Sequence, residues 1–392
     1  MSLFIKKTGI LLCIFLLFFS ERNTVRAEPE KAEGKEIAEK IQGDLLMELD
    51  LSKIQEMVNE ILGEDSFSFR EALNKMIHGE EAISKETVGR FLKSLFFSGL
   101  QKEKELFVKL LLLILAAALL LNFSSVFENS QAGDISFYIV YLLLFTLLAD
   151  SFFEAGNKLY QTILWMMEFM KALAPAYFIT VTAASGAVSA AVFYEGILIL
   201  VWLLQWVLLN VLLPAADLYV LLCLVNHLSR EEMLGKLSDL LAVMTSWGLK
   251  TLLGTVAGLQ IIKSLSAPAM DSLKRTFIGR AASSLPGVGN AVNTVTELVL
   301  ASAVLVRNCL GIVILIVLLM AGAGPVIHYG MLSFAYRFLA AAAQPVSDRR
   351  IVECLSTMGE GYGIFLKILF SAEILCILTF LIVMAGTRGG GI

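Results

Sequence analysis

The feature that most narrows what this chain can fold into is an apolar run of membrane-spanning length with a charge inside it. Residues 298–325, LVLASAVLVRNCLGIVILIVLLMAGAGP, carry Arg307 and Asn308 about ten residues in and close on Ala-Gly-Ala-Gly-Pro. Glycine and proline interrupt a helix that lipid would otherwise force to continue, because hydrocarbon offers backbone polar groups no other partner. An earlier segment has the same form. Residues 199–214, ILVWLLQWVLLNVLLP, also end an apolar helix on a proline, with Gln205 and Asn210 as interior polar groups.

The two registers suggest an internal duplication. Pro175 precedes Pro214 by 39 residues and Pro286 precedes Pro325 by 39, so that Leu200–Pro214 lies over Gly311–Pro325 without a gap. Copies near 165–262 and 276–385 follow from that alignment, although two Leu/Val-rich spans that both end at proline would look similar. On this reading Pro214, Pro286 and Pro325 are helix breaks.

With 57% hydrophobic and 17% charged residues and a mean hydropathy of +0.76, the 392-residue chain is a polytopic, all-α membrane protein. Charge is unevenly placed. Residues 28–105 hold 18 acidic and 11 basic side chains, whereas 106–392 hold 16 of each, so a small acidic domain precedes a neutral membrane domain. A net charge of −4 and the lack of a basic run interleaved with aromatics argue against nucleic acid as a partner.

Residues 1–27 read as a secretory signal peptide: Lys6 and Lys7, an apolar run over 9–19, then Val25 and Ala27 at the small-residue positions before a cut ahead of Glu28. Over 28–105 the helical period is plain. Ile37, Ile41, Leu45 and Leu49 make one stripe, Ile54, Val58, Ile61 and Leu62 a second that Gly63 ends, and Leu73, Met76 and Ile77 a third broken at Gly79. The expectation is a small extracytoplasmic helical domain.

Runs long enough to cross about 30 Å of hydrocarbon occupy 107–126, 135–153, 159–180, 190–213, 241–262, 297–322 and 363–385, with shorter candidates at 215–228 and 326–343. A basic stretch, Lys263–Arg280, reads as an interfacial helix. With residue 28 outside, positive-inside bias puts that stretch and Arg349–Arg350 in the cytoplasm. Eight crossings satisfy this, with 215–228 dipping without crossing. The duplication instead counts nine and turns the basic stretch outward, the inverted arrangement of many transporters. Charge bias is the firmer guide, so the expectation is about eight transmembrane helices.

Charged groups in hydrocarbon are costly and mark candidate sites. Arg307 and Glu373 lie deepest, and an ion pair between their helices would offset the cost of each; Asp150, Glu195, Asp217, His328 and Lys367 fall near expected span ends. His227 reads as a helix-end residue, Gly254 and Gly258 as a GxxxG approach site, and Gly359, Gly361 and Gly363 as a flexible entry to the last helix. No HExxH, GxSxG or GxxxxGK occurs, so no enzyme, cofactor or metal site is indicated. The cysteines, including Cys13 in the leader, show neither CxxC nor His-paired spacing.

The order of parts resembles the stage III sporulation protein AE family: a cleaved leader, an acidic helical segment, a membrane domain with Ser284-Leu-Pro-Gly-Val-Gly-Asn290 after a basic helix, and a closing helix over 367–384. The resemblance implies a permease-like, multi-pass component of the channel complex that joins mother cell and forespore, set in the mother-cell membrane around the forespore, with other membrane subunits, lipid and a second copy of itself as partners. It carries over no catalytic residues. Two functions remain open, a subunit of a multi-protein channel or export apparatus and a self-contained secondary transporter of a small solute. With only Arg307, Asn308 and Glu373 deep, the subunit reading is favoured.

Overall fold

A computed structural model describes residues 32–63, 67–82, 130–185, 187–228, 234–282, 289–345 and 347–386, with scattered positions between 89 and 119. The leader, Pro286 and much of the first expected span lie outside them. The described residues form helices and no strand.

Three short helices come first, α1 (Ala32–Glu48), α2 (Ser52–Leu62) and α3 (Phe69–Ile77). The second and third stop where the sequence stops them. Gly63 and Gly79 take φ of 94° and 79°, a left-handed region that side chains disfavour, and Ser68 caps α3 by accepting from Glu71 N–H. Gln55 joins α2 to the following turn, donating to the Phe67 carbonyl at 2.9 Å and accepting from Phe69 N–H at 2.7 Å. The exposed His78 closes the set, its Nδ1 2.8 Å from the Asn74 carbonyl.

Five long rods follow. They are α4 (Ser130–Ser185); α5 (Ala187–Val207), joined by a π turn (Leu208–Leu212) to α6 (Leu213–Leu228); α7 (Gly235–Ala282); α8 (Gly289–Ala343); and α9 (Arg349–Gly386). Each holds a segment long and apolar enough to cross a membrane, giving five candidates where about eight are expected. Two of the three are lost by fusion, and the third, 107–126, is described only in part and is not among the five. Segments 135–153 and 159–180 lie in α4, 190–213 and 215–228 in the α5–α6 rod, and 297–322 and 326–343 in α8. Lys263–Arg280 likewise continues α7 and is not a separate helix.

Pro214 and Pro325 therefore do not end their helices, contrary to expectation. Proline at i removes the bond to the i−4 carbonyl and crowds it. At Pro214 the helix widens just upstream, so that Leu213 N–H reaches back five residues to the Leu208 carbonyl. At Pro325 the helix carries straight through, with Gly322 and Gly324 keeping the neighbouring turn slim. Continuity of α8 has a topological consequence: Lys263–Arg280 precedes one end of this 55-residue helix and Arg349–Arg350 follows the other. The two basic stretches thus flank opposite ends of α8, where the charge rule puts them on one side.

The apolar segments Tyr138–Thr180 and Ala301–Ala343 are 43 residues each, about 64 Å at 1.5 Å per residue, or twice the hydrocarbon thickness. Surface beyond one bilayer width needs another cover, and the amphipathic helices supply part of it. Leu49, Ile54, Val58, Phe69 and Leu73 belong to the same buried core as Met166, Phe169, Leu310 and Ile314. Trp165 Nε1 donates to the Met57 carbonyl at 3.1 Å.

Helix α9 is the axis of the bundle, packed on α8, α4, α6 and α7. Its glycines explain how. A Cβ on Gly359 would lie 2.7 Å from Arg337 Cγ on α8, and one on Gly361 2.5 Å from Val220 Cγ2 and 2.7 Å from Phe152 Cε2. These glycines are packing surfaces on opposite sides of a continuous helix, and not the flexible entry expected. Among the described residues nothing lies within 4 Å of such a Cβ on Gly254 or Gly258, so no described helix packs on this GxxxG. Gly361→Ala should lower the thermal midpoint of the purified protein by the equivalent of about 1–3 kcal/mol, and Gly254→Ala should leave it unchanged; equal shifts would contradict this packing.

Candidate functional site

The levels of the bundle are fixed by side chains that reach across it. At one end Tyr141 of α4 donates to the Leu224 carbonyl of α6 at 2.8 Å and touches Cys354 Sγ of α9 at 2.9 Å. Beside it His227 Nε2 lies 3.0 Å from Thr357 Oγ1 and Nδ1 3.4 Å from Glu353, which also accepts from Arg349 at 2.6 Å. His227 thus ties α6 to α9, a role its helix-end position did not disclose. Further along, Ser151 Oγ meets Tyr362 Oη at 3.2 Å, and Tyr219 donates to Glu360 at 3.1 Å.

The next level is the junction of four rods. Tyr329 of α8 donates to the Ala155 carbonyl of α4 at 2.7 Å, and its ring lies 5.9 Å from that of Phe365 on α9. Asp217 of α6 enters here. Its Oδ1 would lie 3.1 Å from a Cβ on Gly156, beside Phe365, and this oxygen is buried without a hydrogen bond among the described residues. The sequence reading put Asp217 at a span end because it took Pro214 for the stop. The signal was present in the apolar run Leu218–Val225, which continues the helix past the proline.

Glu373 lies beyond this junction, between α9 and α8. It is 7% exposed, and a Cβ on Gly322 would meet its Cδ at 2.5 Å. Arg307 is 1% exposed but sits 15 residues from Gly322 on the same helix, about 22 Å away along the axis. The expected Arg307–Glu373 ion pair is therefore not made, and Arg307 is engaged by other groups of the chain. Asn308 follows it, half-buried. Lys171 of α4, half-buried as well, donates to Gln205 of α5 at 2.7 Å. Asp150, Glu195 and Lys367 are exposed.

No group of three or more metal-ligating side chains occurs among the described residues. Cys223, Cys309, Cys354 and Cys376 are free thiols, the last three buried. The site is thus a set of deep carboxyls held against glycines at helix contacts, spaced along the bundle and not gathered around one cavity.

Residues 67–387 match the family described as stage III sporulation protein AE. The chain belongs to that family. It is 26% identical over 330 residues, 83% of each chain, to stage III sporulation protein AE of Bacillus subtilis (strain 168). No solved structure matches. Membership makes this a sporulation protein, and the five apolar rods give it membrane character.

The separation of Arg307 from Glu373 sets up two opposite mutant cycles. Arg307→Leu and Glu373→Leu should act independently, the losses of folded protein adding to within about 0.5 kcal/mol. Gly322→Ala should be destabilising alone and largely recovered by Glu373→Ala, which removes the atoms the new methyl meets. Recovery in the first cycle with none in the second would return the ion pair.

Proposed function

We propose that this chain is a membrane subunit of a multi-protein channel or export apparatus joining mother cell and forespore during endospore formation. The sporulation setting rests on family membership. The subunit reading rests on one observation above the rest: the buried Glu373 and Arg307 and the half-buried Asp217 are dispersed along the rods. A self-contained transporter gathers such groups at one depth to surround a solute. A second feature agrees. The α7 face bearing Leu240, Val243 and Trp247 is exposed, and Gly254 and Gly258 continue it with no described residue above them, the form a transmembrane helix takes where another helix can approach.

In this reading the chain resides in the mother-cell membrane around the forespore, with α1–α3 on the extracytoplasmic side. Leu95 packs at Gly324 and Phe107 at Tyr336, so these two residues follow one another along α8 towards its C-terminal end. That end, with His227, Arg349 and Arg350, then faces the mother-cell cytoplasm, in keeping with the positive-inside bias. The basic end of α7 lies on the opposite side.

The test is isolation of the tagged full-length protein from sporulating cells in a mild detergent. Other integral membrane proteins made at the same stage should travel with it in fixed ratio through a second purification step. A homogeneous, self-associated species that carries none of them would instead favour the transporter.

A further inference from the structure

We propose that Glu373 is a proton-binding site built into the α8–α9 contact, at which close packing of the two helices requires the neutral carboxylic acid. The argument is geometric. The side chain is more than nine-tenths buried inside a membrane-spanning segment, and neither oxygen has a hydrogen bond or an ion pair among the described residues. The group opposite is a glycine, Gly322, whose missing side chain leaves the space that the carboxyl head occupies.

Among the described residues the surroundings supply no positive charge. From α8 the facing residue is Gly322, and Arg307 lies about four turns further on. From α4 the cation at this depth, Lys171, is taken by Gln205 of α5. On α9 itself the titratable neighbour is the fully buried thiol Cys376, while Lys367 turns outward to an exposed position. An unpaired carboxylate in such a place costs far more than its neutral form, and the inexpensive solution is to hold the proton.

The event itself is simple: a carboxylate oxygen accepts one proton to give the acid, and releases it to give the anion. The consequence lies in the packing. Neutral Glu373 fits against Gly322, whereas the anion needs water or a cation and so favours parting of α8 from α9 at that level. Pro325 lies three residues from Gly322, where α8 already lacks a backbone bond, and gives the helix a place to yield. Binding of a proton and closure of this contact are thus one linked equilibrium.

A hydrophobic carbodiimide, dicyclohexylcarbodiimide, tests this because it reacts with protonated carboxyls in apolar surroundings. The purified full-length protein in lipid nanodiscs would be treated across a pH series and its peptides weighed. The expected result is an adduct at Glu373 at neutral pH, forming several-fold more slowly as pH rises, lost in Glu373→Gln, and not produced by a water-soluble carbodiimide. Gly322→Ala, which displaces the carboxyl, should change the rate and the pH at which it falls. No adduct at any pH, or an adduct whose rate ignores pH, would overturn the proposal; modification by the water-soluble reagent at an equal rate would show an open, solvated carboxylate and overturn it as well.

Discussion

Everything in this fold depends on one constraint: within hydrocarbon a backbone N–H or C=O has no partner except another turn of its own helix. In water Pro214 and Pro325 would be ends. Here the chain keeps winding, through a turn stretched to a five-residue step before Pro214 and straight through Pro325. The result is a small number of very long rods, and their length sets the remaining problems. A rod of about 64 Å leaves apolar surface that one bilayer cannot cover. The short helices around Leu49, Ile54 and Leu73 share a core with α4 and α8 and take up part of that surface.

Packing of rods this long is governed by small residues, since apolar association in lipid gains little from the solvent. Helix α9 can lie at the centre because Gly359 faces α8 while Gly361 faces α4 and α6. The same device recurs at Gly156 and Gly322, with a carboxyl in place of a hydrocarbon as the opposing group. Polar groups in this bundle therefore occupy spaces that glycine opens, and their spacing follows the glycines rather than a common binding cavity.

How much of this was legible beforehand divides along physical lines. The α2 and α3 stops at Gly63 and Gly79 were readable because in water glycine and local capping decide helix ends. The positions of the apolar runs were readable from composition. Their joining was not, because the rule that proline ends a helix was learned where ends can be solvated. From that rule came the separation of 297–322 from 326–343 and the placing of Asp217 near water, whereas the polar stretch 154–158 parted 135–153 from 159–180 and charge bias put both basic stretches on one side. The Arg307–Glu373 pair failed for another reason: depth in two spans says nothing of relative height, and contacts such as Tyr329 with Ala155 set that height. The glycines of α9 were visible, but their partners lie far away in sequence.

Continuity of α8 past Pro325 is the central claim, and the two ends of that helix test it most directly. Single cysteines at Ser283 and Ser347, in full-length protein otherwise free of cysteine, would be offered a membrane-impermeant thiol reagent in intact protoplasts. One unbroken span between them predicts opposite outcomes, Ser283→Cys labelled and Ser347→Cys labelled only after lysis. If both label from outside, or both need lysis, the chain turns back near Pro325 and the long-rod account is wrong.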